Sequence, residues 1–243
     1  LFFMIVCSCS SKKDILLVQD IDKSSEIMIS YDQLVIKSDD ILKIDVSTQS
    51  PELSHLFNFT SATNANLQTY QLNGYQVDIN GNINFPLLGI IKVKGLTLNQ
   101  ASKLIEKSLF DKGILVNPSI DVKLVNAYFT VIGEVNKPGR YSFISNDMDI
   151  FQVLGMAGDL TINGERKNIK ILRKSEGNFK VSTVDVTSIE SIKNKNFQIF
   201  PGDIIIVNPN NSRVKNAGLI GNAGNLLSLL SFLLSSIIVI NAN

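Results

Sequence analysis

The chain has 243 residues, with 23 Lys plus Arg against 22 Asp plus Glu, a formal net charge of +1. That length allows one or two modest domains with a sizeable core, and so even a charge gives no basic field for nucleic acid. Trp is absent, and a single His and two Cys are present; with no second His, and both Cys in the leader-like front of the chain, a metal site on the His is not expected.

The front of the chain runs Leu1-Phe2-Phe3-Met4-Ile5-Val6 into Cys7-Ser8-Cys9-Ser10-Ser11-Lys12-Lys13. A short apolar run closing on a small residue and then Cys is how a bacterial lipoprotein signal ends. Small Ser8 favours cleavage before Cys9, with lipid on Cys9. Bulky Val6 makes Cys7 the weaker candidate, and an ordinary signal peptide with incidental cysteines is the alternative. On this reading residues 1–8 are the end of a signal peptide whose start lies upstream. Residues 9–30, rich in Ser, Lys and Asp, are a tether from lipid to fold. Lipid on Cys9 leaves no free thiol, which suits an oxidising periplasm.

Order is expected from Tyr31. Ile41, Leu42, Ile44 and Val46 predict a largely buried strand opened by Ser38-Asp39-Asp40. His55, in a short helical stretch, reads as solvated or half-buried. Val77, Ile79, Ile83 and Phe85 alternate with polar residues about Asn80-Gly81, which predicts a hairpin with a type I′ turn. Ile90-Ile91-Lys92-Val93 predicts the next strand. Thr97 and Gln100 form a capping box for a helix whose apolar face is Leu98, Ala101, Leu104, Ile105 and Leu109, with Gly113 at its end. Ile120, Val122 and Leu124 predict a strand that closes an α+β unit near Asn126.

A second unit is predicted over 127–209. Phe129 to Val135 is a strand, Asn136-Lys137-Pro138-Gly139 turns, and Tyr141-Ser142-Phe143 returns. Asp149 to Ala157 is a short helix ended by Gly158. Ile169–Arg173 and Phe179–Val184 form a hairpin, and Pro201-Gly202-Asp203 leads into Ile204–Val207. A short helix held by a curved mixed sheet is a β-grasp arrangement.

These residues resemble bacterial outer-membrane polysaccharide export lipoproteins of the Wza type. Tyr75-x-Val77-Asp78-x-x-Gly81-x-Ile83-x-x-Pro86-x-x-Gly89, followed by Val93-x-Gly95-Leu96-Thr97, is similar to the polysaccharide export domain, assigned to 31–126. Val131-x-Gly133-Glu134-Val135-x-x-Pro138-Gly139, then Ala157-Gly158, then Pro201-Gly202-Asp203-x-Ile205-x-Val207, is similar to one SLBB β-grasp domain. Taken singly, the glycines and prolines of these motifs are explained as turn residues, and Glu134 as a solvated or salt-bridged acid.

Leu219 to Ile240 is apolar except for Gly, Ala, Asn and Ser. As a helix it would run roughly 33 Å at ~1.5 Å per residue, against a hydrocarbon core of about 30 Å. A membrane-spanning helix is therefore expected within 216–240. Gly221, Gly224, Ser228, Ser231 and Ser235 fall on one stripe, where helices could pack closely or line a pore.

The resemblance implies an outer-membrane lipoprotein with its body in the periplasm. It further implies a homo-oligomeric ring that passes capsular or exopolysaccharide and meets an inner-membrane polysaccharide co-polymerase. No Gly-x-x-x-x-Gly-Lys-Ser/Thr loop is present, so energy is expected from inner-membrane machinery, and the export reading implies passage without chemistry, cofactor or metal. Two rivals remain open. One is a lipid-anchored periplasmic ligand-binding module without a pore. The other is a sugar-processing enzyme, which needs a carboxylate pair in a cleft, drawn from Asp39, Asp40, Asp78, Asp121, Glu134 or Asp203.

Overall fold

The computed structural model describes residues 15–20, 29–49, 54, 56–58, 74–143, 145–175, 177–210 and 223–241. In chain order the elements are β1 (Ile41–Ser47), β2 (Tyr75–Gln76), β3 (Asn82–Phe85), β4 (Gly89–Lys92), α1 (Leu98–Asp111) and β5 (Ser119–Leu124). There follow β6 (Tyr128–Gly133), β7 (Gly139–Ser142), α2 (Ile150–Met156), β8 (Ile169–Ser175), β9 (Asn178–Val184), two short 3-10 turns, β10 (Ile204–Val207) and α3 (Ala223–Asn241).

The first core forms where the period-2 strands meet the period-3.6 helix. β1 alternates strictly, burying Leu42, Ile44 and Val46, and sits at the centre of an antiparallel sheet in the order β2-β1-β5. α1 begins at Thr97, whose side chain accepts from Gln100 N while the Gln100 side chain accepts from Thr97 N, so the capping box is closed in both directions. Its Ala101, Ile105 and Leu109 are fully buried, and burial of each larger side chain is worth about 1.5–3 kcal/mol. β3 and β4 form a separate two-stranded sheet that adds Ile83, Phe85 and Ile91 to the same core.

The Asn80-Gly81 hairpin differs from the sequence expectation. β2 pairs with β1, and β3 pairs with β4 across Pro86–Leu88. Only Gly81 has a positive φ, at 88°, and Gly81 N donates to Asp78 O. The central residues of the turn are thus Ile79 and Asn80, with Gly81 the left-handed residue after it. The next strand, β4, offers β3 a longer apolar partner than the short β2.

The second unit is a mixed five-stranded sheet in the order β7-β6-β10-β8-β9. β10 runs parallel to β6 and antiparallel to β8. α2 buries Ile150, Val153 and Leu154 against it. α2 opens with a second closed capping box, Asp149 with Gln152, a signal present in the sequence as Asp-x-x-Gln.

Part of the stretch read as a tether lies against this second unit. Val18 N and Gln19 N donate to Val186 O and Thr187 O at 3.0 and 2.8 Å. Asp20 accepts from Ile189 N and Ser188 Oγ, and Leu17 packs on the core. Further on, Asp32 and Gln198 exchange two hydrogen bonds of 2.8 Å before the chain enters the first unit.

The expected membrane-spanning helix is corrected. α3 covers only Ala223–Asn241 of that region, and among the described residues no helix is long and apolar enough to cross a membrane. Asn225 and Asn241 interrupt the apolar sequence. The run between them, Leu226 to Ile240, reaches about 22 Å at ~1.5 Å per residue, short of a hydrocarbon core of about 30 Å.

Candidate functional site

The motif residues gather at the ends of strands, and each is held for a local reason. Gly81 O accepts from both Val93 N and Lys94 N, and a Cβ on Gly81 would lie 2.3 Å from Lys94 Cβ. Pro86 and Gly89 frame the β3–β4 turn, where Leu87 is left-handed at φ 62° and Gly89 at 80°. Gly133 ends β6 at φ 98°, with a would-be Cβ 2.0 Å from Val207 O. Only glycine lets β6 finish that close to β10. Pro138 and Gly139 turn the chain into β7, whose Tyr141 hydroxyl donates to Lys137 O.

Glu134 is half-buried, and its carboxylate accepts from Thr161 Oγ1 at 2.7 Å while its carbonyl accepts from Thr161 N. Gly202, at φ 88°, donates to Tyr128 O and delivers Asp203 into the core. The Asp203 side chain is fully buried. It accepts from Arg173 Nε at 2.8 Å, Arg173 Nη2 at 2.7 Å and Phe200 N at 2.9 Å. Arg173 also donates to Gln198 O and lies over the Phe200 ring at 4.2 Å. Reading Asp203 as a turn residue missed Arg173. Their side chains meet only because β8 and β10 are neighbours, although the position of Arg173 late in an apolar strand was a clue.

The remaining acids considered for catalysis are also engaged in structure. The Asp78 carboxylate accepts from Asn82 N at 2.8 Å, and hydrogen bonds from Asn82 and the turn amides hold its pKa below the usual carboxylate value. Asp40 accepts from Lys37 N, and burial pushes its pKa up. Asp121 pairs with Lys123 at 2.8 Å. Asp39 is left-handed at φ 69°, and its carbonyl accepts from Asn126. No group of three or more His, Cys, Asp or Glu that could hold a metal occurs among the described residues.

Cys9, His55 and Gly221 lie outside the described residues. On α3, Gly224, Ser228, Ser231 and Ser235 are exposed. Ser231 and Ser235 hydroxyls donate to Ser228 O and Ser231 O one turn back.

The feature sequence reasoning did not find is a groove of about 580 Å³ between the units. It runs along β5, with Leu98, Asn99 and Ser102 of α1 on one side and Phe143, Ser145 and Asn146 of the second unit on the other. Its walls come from separate elements, so no local motif marks it.

Comparison with known proteins finds two successive matches. Residues 30–125 match the family described as polysaccharide biosynthesis/export protein, and residues 128–183 match the SLBB domain. Residues 30–125 are thus similar to a polysaccharide export domain, and an SLBB-type domain follows them along the chain. It is similar to the EPS I polysaccharide export outer membrane protein EpsA of Ralstonia solanacearum, 29% identical over 141 residues, which is 56% of this chain and 36% of the relative. The protein of the same description from Ralstonia nicotianae is 32% identical over 107 residues, 42% of this chain and 27% of the relative. The chain thus spans about a third of the length of these relatives or less.

Proposed function

We propose that this chain is the outer-membrane component of an exopolysaccharide export system, working as a homo-oligomeric conduit with its body in the periplasm. The observation that supports this most is the succession of an export domain and an SLBB domain along one chain, in a body whose candidate acids are taken up by turns and ion pairs. The relatives' description as outer-membrane export proteins supports the location.

On this reading 31–126 and 127–209 are the two functional units, and Cys9 carries the lipid that meets the outer membrane. The polymer passes without a cofactor. An inner-membrane polysaccharide co-polymerase supplies the polymer, and the small residues Gly224, Ser228, Ser231 and Ser235 of α3, with Gly221 ahead of it in sequence, are where neighbouring copies approach. Gly81, Pro86, Gly89, Gly133, Glu134, Pro138, Gly139, Gly202 and Asp203 shape the units and do not touch sugar.

The test combines size and export. Detergent-extracted full-length protein should scatter as a multimer, and cells lacking the protein should retain polymer in the periplasm. A monomer in detergent together with unimpaired export refutes the conduit. A monomer that binds a soluble saccharide would instead favour the ligand-binding module.

A further inference from the structure

Two of the four outer strands of the larger sheets bear on assembly. β5 is the outer strand of β2-β1-β5, and β9 is the outer strand of the five-stranded sheet. Val125 N donates to Ile41 O, so in the β1–β5 register the odd-numbered residues of β5 bond to β1, and Ile120, Val122 and Leu124 point their backbone groups outward. Ser102 Oγ donates to Ile120 O at 2.6 Å, which leaves that carbonyl a second lone pair. Among the described residues nothing takes the N–H or C=O of Val122. In the β8–β9 hairpin, Ser175 opposes Asn178 across a two-residue loop. The even-numbered residues of β9 therefore bond to β8, and Phe179, Val181 and Thr183 face outward.

Edges like these are templates for pairing, and soluble proteins usually blunt them with proline, bulges or charge. β9 has no proline and exposes Phe179 and Val181 at 59% and 58%. β5 borders the inter-unit groove. We infer that β9 of one copy adds antiparallel to β5 of the next, seating Phe179 and Val181 in the groove, an interface that rests on the oligomeric reading above.

The register follows from the two edges. Placing Phe179 opposite Val122 and Val181 opposite Ile120 matches outward-facing backbone to outward-facing backbone. It also puts Phe179 and Val181 on the same side of the sheet as the buried Ile120 and Val122, beside Leu98 and Ser102 of α1. Lys180 then stands directly across from Asp121 on the solvent side, and Lys123 faces Asn178, so opposite charges meet and no like charges do. Sliding the pairing by two residues to put Val181 opposite Val122 sets Lys180 against Lys123. Because β5 and β9 are different surfaces, each copy offers one and receives the other. Such a heterologous contact closes into a ring when its rotation permits.

Asp121 and Lys180 form a non-hydrogen-bonded pair in this register, where Cβ atoms come within about 4.5–5.5 Å. The full-length chain carrying Asp121→Cys and Lys180→Cys should give a ladder of disulfide-linked multimers on oxidation. Either single variant and the parent chain, with its native cysteines, should not. Val181→Pro removes an outward N–H without touching the β8 pairing. It should melt like the parent yet raise the concentration for half-dissociation at least tenfold. Asp121→Lys with Lys180→Asp should assemble where either change alone does not. A parent multimer with no ladder, or one that tolerates Val181→Pro, overturns this interface and leaves the conduit standing. A parent that is monomeric by light scattering overturns both.

Discussion

Replacing Asp203 with Ala tests whether the Pro-Gly-Asp turn serves the core or only the chain direction. Asp203 is fully buried and accepts three hydrogen bonds, two of them from Arg173. In the variant the guanidinium keeps the Gln198 carbonyl and the Phe200 ring but loses its counter-charge, and Phe200 N loses its acceptor. Breaking one side of a buried pair costs about 3–5 kcal/mol. For a urea dependence of ~2 kcal/mol per M the unfolding midpoint should fall by about 1.5–2.5 M. Urea titration followed by far-UV circular dichroism reads this directly. Arg173→Met in the same chain should recover part of the loss, because the orphaned charge leaves with it, giving a coupling energy of about 0.5–3 kcal/mol. A loss below ~1 kcal/mol for Asp203→Ala, as exposed ion pairs show, would refute the reasoning.

Gly133→Ala should cost more than the ~1–2 kcal/mol of a left-handed residue, because its Cβ meets Val207 O. Gly89→Ala, with open space around it, should stay near that figure in the same denaturation assay. Burial pushes the Tyr75 hydroxyl up to about 12 from 10. The folded state therefore holds its proton where the unfolded chain has released it, so this stability is full below pH 10 and lost as pH rises toward 12. Urea midpoints from pH 9 to 12 should fall less steeply for Tyr75→Phe than for the parent. Asp20→Ala removes the acceptor for Ile189 N and Ser188 Oγ; it should cost about 1 kcal/mol, as lost caps do, and expose residues 15–20 to limited proteolysis. Undiminished protection there would refute a packed N-terminal segment.

Sequence by itself determined the features that neighbours along the chain decide. Alternation in Leu42-x-Ile44-x-Val46 marks β1 because a half-buried strand has period two, and Thr97 with Gln100 marks the start of α1 because both capping partners lie within one turn. Gly81, Gly133 and Gly202 were legible as backbone positions. Why Gly133 tolerates nothing larger was not, since the obstacle is Val207, on a strand far along the chain. Tertiary structure decided the rest. β2 is taken up by β1, far back in the chain, and β3 pairs with β4 across Pro86–Leu88. Arg173 reaches Asp203, residues 15–20 settle on the second unit, and the groove opens along β5, each through contacts between distant segments. Apolar content alone suggested a membrane span in α3. Length between its polar interruptions is the quantity that matters, because a bilayer is crossed by a continuous apolar helix of sufficient reach.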